Sequence, residues 1–107
     1  MDKDKATQMF FSLIYSFQMQ TMMHLGKIKN PVTDKIETEL PAAQATIDLI
    51  EMLVEKTKGN LSEDEKRFIE SALSDLKLNY VEESSKSSQS IEGKQEGNLE
   101  ENNEEQK

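Results

Sequence analysis

Any chemistry in this chain would have to come from one histidine, a stripe of carboxylates and a lysine–glycine corner. His24 is the only histidine, and there is no cysteine. A zinc site needs several nitrogen or sulfur ligands, and His24 has no companions for one. A Ser-His-acid triad would have to use His24, yet nothing in the sequence sets a serine against it. Near a helix end, its charge would instead complement the helix dipole. Gln44, Asp48, Glu51 and Glu55 recur at spacings of four, three and four, which lines them along one helix face. Carboxylates alone suit Mg²⁺ or Ca²⁺, but no EF-hand loop is present and the Glu-x-x-His pairing of di-iron bundles is missing. The stripe reads as a solvated face. No catalytic residue, metal site or cofactor is expected, and the chain reads as non-catalytic.

The corner is Glu55 to Glu65, EKTKGNLSEDE. A phosphate loop would need a preceding strand and the GxxxxGK[ST] spacing, and it has neither. Asn60-Leu61-Ser62 has the form of a glycosylation sequon, but the N-terminus MDKDKATQ lacks the pattern of a secretory signal, so the sequon reads as accidental. Ser62 is a favoured N-cap, and Glu65 three residues on completes a capping box. Gly59 suits a helix end. A connection of two or three residues between them forces an αα-hairpin.

The elements that position these residues are three helices. The first spans about 6–25 and stops at Gly26, suited to a left-handed cap. On a helical wheel Phe10, Leu13, Ile14 and Phe17 make one face, while Phe11, Tyr15, Met19 and Met22 cover the other. Only a thin stripe of Ser12, Ser16 and Gln20 interrupts them. An arm over 27–40 places Ile28, Val32, Ile36 and Leu40 at alternate positions, broken by the turn signals Asn30-Pro31 and Thr33-Asp34. It reads as extended, or as a short irregular hairpin. The second helix, 41–58, opens on Pro41, a residue favoured at the first helical position. The third, 63–83, lines Phe68, Ile69, Ala72, Leu73, Leu76 and Tyr80 on one face. From Ser84 to Lys107 the only aliphatic residues are Ile91 and Leu99, so 84–107 is expected to be a disordered acidic tail. The fold class is all-α: a three-helix domain over 1–83 followed by that tail.

The chain has 107 residues and a formal net charge of −8. Its lysines are scattered, so no basic face exists for nucleic acid. The absence of cysteine fits a reducing compartment. The methionines of the first two helices read first as fillers of core gaps, and second as an adaptable surface. A domain this small is marginal alone, and two partner helices cannot cover a helix that is apolar nearly all round. The first helix is therefore expected to self-associate or to meet another protein, with Phe11, Tyr15, Met19 and Met22 as the candidate contact residues. Membrane contact is the alternative. Met9 to Leu25 is short of the roughly 20 apolar residues of a span. It also carries Gln18, Gln20 and His24, which are costly in hydrocarbon.

The segments FFSLIYSFQMQTMMHLGKIKNP, LPAAQATIDLIEMLVEKTKGNLSEDE and LSDLKLNYVE resemble the small bacterial family catalogued as domain of unknown function 1844. The phrase EKTKGNL carries most of the likeness. The resemblance covers about Phe10 to Val81 and brings no activity, ligand or catalytic residue. It implies a cytoplasmic, mainly helical bacterial protein. It also implies that Lys56, Lys58 and Asn60 form a binding edge at the corner.

Overall fold

The computed structural model describes residues 1–99, with side-chain surroundings up to Lys86. Helix α1 spans Lys3–His24, α2 Leu40–Lys56 and α3 Glu63–Leu99. Helix α1 starts three residues before its apolar run because Asp2 caps it, its Oδ1 accepting the Asp4 N–H at 3.2 Å. It ends at the expected glycine. Gly26 has φ +76°, and the N–H groups of Gly26 and Lys27 return to the carbonyls of Met23 and Met22 at 3.0 and 2.9 Å. This is the Schellman pattern, and it satisfies carbonyls that the helix itself leaves open.

Residues 26–39 take the irregular-hairpin form. Isolated antiparallel bridges pair Leu25 with Thr38 and Asn30 with Lys35. Asn30 Oδ1 accepts the Val32 N–H at 2.8 Å and Asp34 sits at φ +60°, so the turn is built by side-chain mimicry of backbone. The Glu39 N–H donates to the His24 carbonyl at 2.7 Å and brings the chain back to the end of α1. The alternating pattern does not make a buried face, since Val32 is 90 % exposed and Ile36 64 %. Two turn signals inside one run leave no strand long enough to present one.

The chain therefore runs up, down and up. Thr7 at the start of α1 donates to Glu65 at the start of α3 at 2.6 Å, and Lys27 just past α1 pairs with Glu83 at 2.9 Å. Those contacts make α1 and α3 parallel neighbours, with α2 antiparallel to both. Ile14, Ile47, Ile50, Ile69, Ala72 and Leu76 form the buried core. Within it, the Thr21 and Thr46 hydroxyls meet at 2.6 Å. Each also reaches a carbonyl of its own helix, Phe17 at 2.7 Å and Ala43 at 3.0 Å. A buried hydroxyl is costly unless bonded, so this pair fixes the register of α1 on α2.

Helix α2 begins at Leu40 with Pro41 in its first turn, and it closes at Lys56 slightly before the expected end. The capping box forms in both directions: Ser62 N–H to Glu65 Oε1 at 2.8 Å, and Glu65 N–H to Ser62 Oγ at 3.2 Å. Helix α3 continues as backbone helix through Leu99, beyond Glu83, where the apolar stripe ends. Loss of apolar residues marks the end of packing, while a hydrogen-bond ladder continues until something breaks it. Of the expected tail, residues 100–107 lie outside the described residues.

Candidate functional site

Helix α1 buries the line through Ile14, Thr21 and Leu25. That line follows the edge of the first face, where Phe10, Ile14 and Phe17 meet the core and only Leu13 stays out, while the second face is half used. Phe10 and Phe17 pack on the core from one side and Met22 from the other. Phe11 packs against Phe68 with ring centroids 4.6 Å apart and the planes tilted by 44°. Two of the four candidate contact residues, Phe11 and Met22, are thus occupied inside the bundle. The other two, Tyr15 and Met19, are 56 % and 36 % exposed. They are joined outside by Met9 at 53 %, which lies on neither face of the wheel, and by Leu13 at 45 %, which lies on the wheel with Phe10, Ile14 and Phe17. A sequence signal for this was available, since Thr21 and Leu25 follow Ile14 at seven and eleven residues.

From Ala6 to Met23 helix α1 carries no charged residue on any face. Its outer surface is built of methionine, serine, glutamine, leucine and tyrosine. Elsewhere among the described residues the exposed large apolar side chains are Met1 before α1, Val32 and Ile36 of the hairpin, Leu49 and Met52 on α2, and Leu78 and Val81 on α3.

Lys56, Lys58 and Asn60 are exposed together at the α2–α3 corner. The Asn60 N–H closes the turn on the Thr57 carbonyl at 2.8 Å, and Gly59 has φ +85° with open space around it. The corner is a helix connection in which Leu61 packs on the core while Lys56, Lys58 and Asn60 face solvent.

The residues with chemical potential are dispersed. His24 Nδ1 lies 3.7 Å from Glu39. Gln44 donates to Asp48 at 2.9 Å, and Lys77 pairs with Glu51 at 2.9 Å, so the acidic stripe is tied to its own helix and to α3. Among the described residues no group of three or more His, Cys, Asp or Glu side chains converges on a point that would hold a metal. A shallow groove over the Phe11–Phe68 contact contains Arg67, already paired with Asp64 at 2.6 Å.

Ion pairing concentrates midway along α3, where it passes the end of α1. The Lys27 ammonium donates to both Glu82 and Glu83, which raises its pKa above the ordinary lysine value. Both carboxyls are lowered, chiefly by the hydrogen bond from Lys27. Glu65 is lowered by the Thr7 hydroxyl first and the Ser62 N–H second.

Among the described residues no helix is long and apolar enough to cross a membrane. No curated protein and no solved structure matches the chain. A family model does match residues 7–82, which takes in α1 from Thr7 onward, the hairpin, α2, the corner and α3 to Glu82. The chain belongs to the family described as Domain of unknown function (DUF1844).

Proposed function

We propose that this protein is a non-catalytic interaction module of the bacterial cytoplasm, which self-associates or docks another protein through the outer face of α1. The observation behind the reading is the exposure of Met9, Leu13, Tyr15 and Met19 on a helix without charge from Ala6 to Met23. Soluble surfaces seldom leave such a strip uncovered. The Lys56, Lys58 and Asn60 corner is a second, polar edge available to a partner.

The test is the solution mass of the full chain by light scattering across a dilution series without detergent, beside the Leu13→Glu/Tyr15→Glu variant. A mass above the monomer that is lost in the variant, with circular dichroism unchanged, supports the reading, and Lys56→Ala/Lys58→Ala should leave that mass unchanged. A chain that is monomeric throughout and floats with liposomes overturns it in favour of the peripheral membrane alternative.

A further inference from the structure

The outer side of α1 is ordered, exposed from Met9 to Met19 and half-buried at Met23. Met9, Ser12, Ser16, Met19 and Met23 follow one another at spacings of three, four, three and four. That is the a/d seam of a heptad, on the side opposite Ile14 and Thr21. The seam is also nearly palindromic about Ile14. Position 9 mirrors 19, both methionine; 12 mirrors 16, both serine; and 8 mirrors 20, both glutamine. A twofold interface needs this property, because residue i must suit residue j as j suits i. In an antiparallel pair each a position faces a d position of its partner, so the mirror pairs meet as layers.

We infer that α1 pairs antiparallel with α1 of a second copy, with the twofold axis at the level of Ile14. This rests on the self-association reading and specifies its geometry. Met9 then lies against Met19 of the second copy, and Ser12 against Ser16. Leu13 lies on one side of the seam and Tyr15 on the other, where each meets its own copy near the axis. The small serines let the backbones approach at the centre, and the Ser16 hydroxyl already donates to the Leu13 carbonyl at 2.8 Å, so its proton needs no new partner on burial. Lys5, Gln8, Met9 and Ser12 line one shallow depression on α1. Residues at i, i+3, i+4 and i+7 are the four walls of a coiled-coil hole, and this one receives the Met19 knob. Lys5, the one cation on the seam, falls beside the C-terminal end of the opposing α1, where the helix dipole and Glu39 are negative. The drift of about 20° per heptad is taken up by the usual shallow left-handed crossing.

The chain has no native cysteine, so single cysteines report the register directly. Met9→Cys and Met19→Cys full-length chains are oxidised separately and as an equal mixture. In the inferred register positions 9 and 9 of the two copies are about 15 Å apart along the axis. Disulfides need Cα atoms within about 7 Å. The mixture should therefore give a disulfide dimer in about tenfold excess over either chain alone. Efficient linkage within each single variant means parallel pairing and overturns the inference while leaving self-association intact. A native dimer by light scattering with no linkage in any sample also overturns it, and a native monomer overturns both readings. Ser12→Glu/Ser16→Glu supplies the independent arm: both positions are exposed in one chain, so helicity should hold while the dimer, and the part of Tm it contributes, is lost. A retained dimer in that variant counts against the seam.

Discussion

Gly26 and Gly59 both hold left-handed backbone, at φ +76° and +85°, yet they differ in what surrounds them. A Cβ at Gly59 would meet open space, whereas one at Gly26 would overlap Thr38 Oγ1 in the returning hairpin. Gly59→Ala should therefore cost about 1 kcal/mol, the strain of a left-handed alanine alone. Gly26→Ala should cost more, roughly 2 kcal/mol or above, because the loop must shift as well. Chemical denaturation of the two variants measures the difference, and equal costs would mean the hairpin gives way freely. Both glycines were legible in the sequence as helix ends. The Thr38 contact was not, because it joins positions that only the folded hairpin brings together. The Thr21–Thr46 pair was hidden for the same reason: threonine on a wheel reads as neutral, and its value appears only when a second hydroxyl faces it inside the core.

At the scale of elements, local chemistry was the most readable. Pro41 in the first turn of α2 and the Ser62–Glu65 capping box stand where spacing places them. The alternating run Ile28, Val32, Ile36 and Leu40 misled because periodicity measures a pattern, and burial needs a neighbour to supply the other surface. On α1 the wheel identified an apolar helix but set the core direction about one position off. Leu13 was therefore assigned inward, while Phe11 and Met22 were assigned to the contact face. The capping box does more than start α3, since the Oε2 of Glu65 also accepts from Thr7 on α1. Ser62→Ala should cost about 1 kcal/mol, as an N-cap does. Glu65→Ala should cost more than Ser62→Ala, because it removes the cap and the α1–α3 contact together. Thermal unfolding of the two single variants and the double variant tests this, and strictly additive losses would argue against a shared network.

For the whole molecule the Lys27, Glu82 and Glu83 cluster contributes to the response to pH. The folded carboxyls titrate below their ordinary range, so in acid the unfolded chain binds more protons than the folded one. Their contribution is complete above the ordinary carboxylate range and is lost as pH falls through the lowered values. Lys27 is raised, so its contribution is complete below the ordinary lysine range and is lost only as pH rises through the higher value. Tm should be level around neutrality and fall at both extremes. Lys27→Met should lower the neutral plateau and make the acid decline shallower, since the two glutamates then return toward ordinary values. An unchanged acid limb in that variant would assign the decline to other groups, Glu65 first.

Parallel α1 and α3 have a geometric result for any assembly through α1. Because α3 leaves the bundle in the direction of α1, an antiparallel α1 pair sends its two α3 extensions out at opposite poles. The result is a two-ended strut. Anything grasped by one end is held away from the other, so two-point attachment would bridge separate targets and could not clasp a single one.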